Sequence, residues 1–177
     1  MADVISAPET GGDAPSDQET VALIELLFFA YRDFVSDPDE ILSQFGFGRA
    51  HHRVLHFVGR DPGMTVQQLL DILRITKQSL GRVLKELIDK GYVFQKEGES
   101  DRRQRLLYLT EAGEELRQRL MRPQMNRIRR AVSLAGGNAG LVYRKVLYHM
   151  VSPENREAVR DWIDRASLLG EGEKGRG

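Results

Sequence analysis

The middle of this 177-residue chain contains two short amphipathic patterns that only a few residues separate. Thr65 and Gln68 have the spacing of a capping box, in which two residues satisfy each other's backbone amides at the start of a helix. This spacing predicts a helix that ends at about Leu73. Thr76 is suited to cap a second helix over residues 77–90, because a threonine hydroxyl accepts a hydrogen bond from the first helical turn. Two helices joined by so short a connection must cross at an angle.

The segment after the second helical pattern predicts a β-hairpin. Gly91 lies where a helix would end in the left-handed conformation. Residues 92–97 and 104–109 are rich in β-forming residues and flank a polar tip that contains glycine. Thr110 is suited to cap a long helix that follows. Helix, tight turn, helix and hairpin is the order of a winged helix-turn-helix. The predicted fold class is therefore mainly α, with a small β-hairpin wing.

The second helix divides into an apolar stripe and a polar face. The apolar residues recur at helical spacing and predict the buried side: Leu80, Val83, Leu84, Leu87 and Ile88. The opposite side carries the residues that we expect to contact DNA: Lys77, Gln78, Ser79, Arg82 and Lys85. Alone, such a face is typical of any solvated helix, but its place between a capped helix and a basic hairpin favours a reading face. Gly81 lies on this face, where it either permits close approach to a base or methyl group or is a tolerated imperfection.

The hairpin is basic, and we expect it to contact phosphates or a narrow minor groove. Its candidate DNA-binding residues are Lys96, Arg102, Arg103 and Arg105. Asp101 contributes nothing to DNA affinity, and we expect it to pair with Arg103 and fix the shape of the tip. A formal net charge of +0 conceals this basic region. Residues 74–105 carry nine basic and five acidic side chains, which is +4, whereas residues 1–25 carry six acidic and no basic side chains.

Several classes of protein are disfavoured by what the sequence lacks. Without cysteine there is no disulfide, thiolate metal site or thiol-based redox sensor. We predict no enzyme and no cofactor, because there is no phosphate-binding glycine loop, nucleophile elbow or Cys-His pair. The N-terminus does not have the pattern of a signal peptide. The apolar run Val21–Ala30 is interrupted by Glu25 and is too short to span a bilayer. We therefore expect a cytoplasmic, nucleoid-associated protein.

The flanking segments predict helices that need a partner. A helix over about 19–35 is apolar on nearly all sides, which indicates that a second chain covers it. Asp37 is predicted to cap a short helix that has Pro38 at its first position, and Pro123 should kink a long helix over 111–135. Four regions follow: a disordered acidic tail over 1–18, a helical dimerisation region over 19–36 and 111–169, a winged helix-turn-helix over 37–110, and a mobile tail over 170–177.

Together these motifs resemble the MarR family of bacterial winged-helix regulators. The resemblance covers about residues 20–135 and rests on Thr76-Lys77-Gln78-Ser79, Lys90-Gly91-Tyr92-Val93, Asp101-Arg102-Arg103 and Leu109-Thr110-Glu111-Ala112-Gly113. It implies a homodimer held by the terminal helices, with recognition helices in successive major grooves of a pseudo-palindromic site and wings in the flanking minor grooves. The segment 136–151 is longer and more glycine-rich at its start than the family pattern.

The resemblance also implies a small aromatic or carboxylate effector, which many relatives bind between the dimerisation helices and the reading head. The residues that suit such a pocket are Phe28, Tyr31, Arg32, His52 and His56. Core packing is nevertheless the favoured explanation of the aromatic residues, because such stripes usually belong to a core. His52 and His56 have the i, i+4 spacing of a metal pair, but no HExxH pattern accompanies them, and we predict no metal site.

We conclude from the sequence that the chain is a homodimeric transcription regulator, either a repressor or an activator, that binds double-stranded DNA. The main alternative is a winged-helix interaction adaptor that lacks sequence-specific DNA binding. RNA binding is disfavoured, because the predicted reading face has no aromatic residue on which bases could stack.

Overall fold

The computed structural model describes residues 14–98 and 103–172, with side chains described up to Arg165. The elements are, in chain order, α1 (Asp17–Ser36), α2 (Asp39–Gln44), α3 (Arg49–Arg60), β1 (Met64–Thr65), α4 (Val66–Leu73), α5 (Lys77–Asp89), β2 (Val93–Glu97), β3 (Arg105–Leu109), α6 (Glu111–Ala135), α7 (Ala139–Met150), a 3-10 turn (Pro153–Asn155) and α8 (Arg156–Gly172). They form two compact units. The central unit is Val35–Met125, and the terminal unit comprises the residues up to Phe34 and from Asn126 onward.

The central unit contains a three-stranded antiparallel sheet in the order β1-β3-β2. Val93 is opposite Leu109 in the hairpin, and Met64 of β1 is opposite Leu107. The core beneath this sheet is aliphatic, and burying each such side chain stabilises the fold by roughly 2 kcal/mol. Its fully buried residues include Leu42, Val54, Leu55, Val58, Leu69, Leu80, Leu87, Val93, Leu107, Leu116 and Leu120.

Both predicted helix starts of the helix-turn-helix are confirmed. The Gln68 amide donates to Thr65 Oγ1 over 3.2 Å, and the Thr65 amide donates to Gln68 Oε1 over 2.7 Å, so the capping box is complete. Thr76 Oγ1 accepts from the Ser79 amide over 3.1 Å. Gly91 follows α5 with φ +75°, the left-handed conformation that its position predicted.

Two details differ from the sequence prediction. α1 begins at Asp17 rather than residue 19, so the end of the predicted acidic tail is helical. The predicted Asp37 cap is wrong, because Pro38 occupies the cap position of α2 without a side-chain hydrogen bond.

The wing is joined to α6 by short hydrogen bonds around Thr110. The Thr110 amide donates to the Tyr92 carbonyl over 3.1 Å, and its hydroxyl donates to the Gly91 carbonyl over 2.7 Å. Thr110 Oγ1 also accepts from the Gly113 amide over 3.0 Å, which caps α6 as predicted. One threonine therefore fixes the end of α5, the start of β2 and the start of α6.

The terminal unit consists of α1, the second half of α6, α7 and α8. Arg156 closes the turn after α7 by donating to the carbonyls of Val151 (2.9 Å) and His149 (2.7 Å). α6 continues as a helix through Pro123. No helix of residues 14–98 and 103–172 is both long and apolar enough to cross a membrane.

Candidate nucleic-acid interface

The turn between α4 and α5 sets the direction in which α5 leaves α4. Arg74 ends α4 in the left-handed conformation, with φ 52° and ψ 40°, and its Nε donates to the Asp71 carbonyl over 3.1 Å. A left-handed non-glycine residue was not predicted, since arginine carries no sequence signal for it. After this turn α5 buries the predicted stripe: Leu80, Val83, Leu84 and Leu87, with Ile88 half-buried.

The predicted reading residues lie together on the exposed side of α5. Lys77, Gln78 and Arg82 are exposed. Ser79 is exposed too, but its Oγ accepts a hydrogen bond from the Thr76 hydroxyl over 2.9 Å. Lys85 forms an ion pair with Asp89 one turn later, and this hydrogen bond raises the pKa of Lys85. The exposed side of α5 from Lys77 to Lys85 is thus a polar surface whose side chains face solvent.

Gly81 belongs to the same exposed surface. Within a helix, glycine costs about 1 kcal/mol relative to alanine. A Cβ added at Gly81 would meet nothing within 4 Å. The fold itself therefore gives no reason for glycine at this position.

The wing carries its charged residues on the two hairpin strands. Arg105 Nη1 donates to Glu97 Oε1 of the opposite strand over 2.8 Å. Lys96 Nζ lies 5.1 Å from the ring centroid of Tyr108, which stacks on Phe94 at 5.4 Å. Arg103 is exposed beside the tip. Asp101 and Arg102 lie outside the described residues, so the predicted pairing of Asp101 with Arg103 stays a prediction.

The far end of α5 is held by contacts that the sequence did not reveal. His51 Nδ1 accepts the Gly48 amide over 3.1 Å, which leaves the ring proton on Nε2 to donate to Glu86 Oε2 over 3.0 Å. Lys90 donates to the Phe45 carbonyl over 2.7 Å, and its ammonium lies 4.5 Å from the Phe47 ring centroid. These two contacts join α5 to the start of α3 and to the loop before it.

His52 and His56 are embedded in the central unit and are held neutral. Burial is the main cause that lowers the pKa of both rings, and the charges of Arg117 and Arg60 assist it at His56, whose pKa falls to about 4. His52 Nε2 and His56 Nδ1 are buried without a hydrogen-bond partner. Within the described part of the chain, no three histidine, aspartate or glutamate side chains converge as metal ligands.

The other residues of the predicted effector pocket belong to the terminal unit. Phe28 and Tyr31 are exposed on α1, with 72% and 53% of their surface accessible. Arg32 donates to Asp33 Oδ1 over 2.8 Å, and this hydrogen bond lowers the pKa of Asp33. The effector pocket stays a prediction, because its residues are divided between the two units.

Comparison with known proteins places this geometry in a family. A family model described as MarR family matches residues 45–104. The HTH-type transcriptional regulator PetP of Rhodobacter capsulatus is 48% identical over 141 residues, which are 80% of this chain and 85% of that protein.

Solved structures share the fold at lower identity. A mutant MarR from E. coli, crystallised with operator DNA, is 18% identical with a TM-score of 0.59, over 78% of this chain and 100% of that one. A MarR family regulator from Listeria monocytogenes, crystallised with a 26mer DNA, is 20% identical with a TM-score of 0.57, over 85% and 93%. Since the family match includes α4, α5 and the first wing strand, and the identity to PetP extends over most of both chains, this chain belongs to the MarR family.

Proposed function

We propose that this protein is a transcription regulator that binds a pseudo-palindromic DNA operator as a homodimer. One observation carries the proposal: α5 buries its apolar stripe and exposes a polar, basic face in the same unit as an arginine-bearing hairpin. A helix that presents its N-terminal turns in this way fits the major groove. Two relatives of the same fold were crystallised with DNA, and the relative at 48% identity is named as a transcriptional regulator.

The two basic surfaces take different roles in this proposal. The face of α5 reads base edges, because glutamine and arginine side chains match the hydrogen-bonding groups of adenine and guanine. The wing contacts the backbone or a narrow minor groove. Three of the residues assigned to DNA contact already have a partner within the protein: Ser79, Lys85 and Arg105. Each must give up that partner to contact DNA, so we expect each to contribute less to DNA affinity than Arg82. Such a protein would act at the nucleoid.

The proposed homodimer explains the apolar surface of the terminal unit. α1 has no buried residue in the single chain, although most of its residues from Val21 to Tyr31 are apolar. α7 likewise exposes Leu141, Val142, Val146 and Met150. Contiguous exposed apolar surface of this kind is typical of protein interfaces. We expect light scattering at micromolar concentration to give twice the mass of the chain, and a monomer would contradict the proposal.

Selection from random duplex DNA at moderate salt tests the function directly. We expect an inverted repeat whose half-site centres are about one helical turn, roughly 34 Å, apart. Enrichment of such a repeat supplies the operator. Weak, salt-sensitive binding without enrichment would instead favour an adaptor that has kept the fold and lost specificity.

Base reading by α5 and backbone contact by the wing predict different effects when an arginine is removed from each. Arg82→Ala should cost about 2 kcal/mol at the operator and relax the preference at particular base pairs. Arg103→Ala should weaken binding to all sequences alike and reduce the dependence of affinity on salt by about one ion. Titrations of operator and scrambled duplexes over a salt series separate the two outcomes.

Arg129→Ala is the matched control, since it removes the same charge from an exposed position of α6 in the terminal unit. It should leave the sequence preference unchanged. If Arg82→Ala weakens every duplex equally, as Arg103→Ala is expected to do, Arg82 contacts a phosphate and its assignment to the reading face is wrong.

A further inference from the structure

Gly81 is an exposed glycine in the interior of α5. No contact within the described part of the fold requires a glycine at this position. Glycine is favoured where the backbone takes a positive φ or where another group approaches closely. Gly81 is not among the residues with positive φ, and an added Cβ would lie in open space. An alanine here would stabilise the helix without displacing any atom of the protein.

Of the other helical glycines with described surroundings, two lie where an added Cβ would be too close to a neighbouring atom. A Cβ at Gly113 would lie 2.0 Å from the Tyr92 carbonyl oxygen, and one at Gly59 would lie 2.4 Å from Arg117 Cδ. A Cβ at Gly140 would lie 3.4 Å from Val132 Cγ1, which is an ordinary van der Waals distance. Gly81 alone among these four has no neighbour within 4 Å, so no contact within the described residues accounts for this glycine.

The exposed side chains beside Gly81 indicate what kind of group in DNA would fit against this glycine. Gln78 lies one turn before it, Arg82 follows it and Lys85 lies one turn after it, all exposed. Gly81 therefore leaves a gap in a row of hydrogen-bonding and cationic side chains, and the apolar group that it offers there is its Cα methylene. In the major groove, the thymine 5-methyl group is the apolar group that base pairs present, and it needs an apolar surface rather than a donor.

We propose that Gly81 is a specificity-determining position at which a thymine methyl group of the operator packs directly against the backbone of α5. This proposal rests on the proposed function and names the base that one part of the reading face selects. A Cβ at this position would occupy the space of the methyl group. Selection would then maintain glycine against its cost in helix stability.

The test combines Gly81→Ala with operators in which deoxyuridine replaces single thymidines, because this change removes only the methyl group. We expect the variant to melt a few degrees higher than the wild type, as added helix propensity requires. It should bind the operator about tenfold more weakly and scrambled DNA equally well. Deoxyuridine at one position of each half-site should restore most of the affinity of the variant, whereas the same change should weaken the wild type.

Gly48→Ala is the matched control, because Gly48 is exposed outside α5 and a Cβ there also meets nothing within 4 Å. It should leave the operator affinity unchanged. Unchanged operator binding by Gly81→Ala would overturn the proposal, as would equal weakening on all sequences without rescue by deoxyuridine. A lower melting temperature would overturn it too, because the fold would then require this glycine. If the wild-type protein selects no sequence at all, the proposed function itself has failed.

Discussion

Replacing Gly113 with alanine is expected to lower the free energy of unfolding by about 3 kcal/mol or more. The added Cβ would lie 2.0 Å from the Tyr92 carbonyl oxygen and 3.0 Å from its carbonyl carbon, both of which are backbone atoms. Backbone cannot rotate away as the end of a side chain does, so α6 and β2 must separate. The separation also breaks the hydrogen bond from the Thr110 amide to the same carbonyl, which measures 3.1 Å.

The same substitution at Gly81 provides the matched control, with the opposite sign expected. Both glycines lie within helices, but only Gly113 faces another backbone segment, whereas Gly81 faces open space. Chemical denaturation of the two variants beside the wild type should therefore give one destabilised and one slightly stabilised protein. A Gly113→Ala protein as stable as the wild type would show that α6 does not pack on Tyr92 in this way.

The parts of the fold that the sequence predicted are those that local rules determine. The Thr65 box, the Thr76 cap and the glycine after α5 each depend on residues within one turn of each other, and all three are confirmed. The apolar stripe of α5 likewise follows from helical spacing alone. Such features need no knowledge of what packs against the helix.

The features that the sequence did not predict depend on residues far apart in the chain. β1 contains two residues and forms only because β3 offers it a partner. The contact of His51 with Glu86 joins positions separated by 35 residues, and no periodicity indicates it. Arg74 takes the left-handed conformation in the turn between α4 and α5, and no local sequence signal predicts it.

The reading face was predicted as a set of residues, but the partners of those residues were not. A helical wheel places Lys85 and Ser79 on the outside without showing that Asp89 and Thr76 engage them. In the wing, too, the partner of a predicted DNA-binding residue was not predicted. Arg105 pairs with Glu97 because the hairpin register places the two residues opposite each other.

Acidification is expected to destabilise the protein before its carboxylates titrate, because His56 must stay neutral in the folded state. Its folded pKa is about 4, against 6.5 for the ordinary side chain, mainly through burial and then through the positive charges of Arg117 and Arg60. Between these two values the unfolded chain binds the proton and the folded chain does not. Stability is therefore complete above pH 6.5 and falls as the pH approaches 4, by about 3 kcal/mol in total. His52, whose pKa is also lowered by burial, adds to the loss in the same direction.

Urea denaturation at intervals between pH 7 and pH 4.5 measures this slope, and His56→Gln should flatten it, because glutamine binds no proton in this range. Asp33→Asn is the matched control. The Arg32 hydrogen bond lowers the pKa of Asp33 below its ordinary 3.8, so this carboxylate contributes stability that is lost only at lower pH. The control should therefore keep the wild-type slope above pH 4.5. An unchanged slope in His56→Gln would mean that this histidine takes up its proton in the folded protein, and that α3 opens enough to solvate the ring.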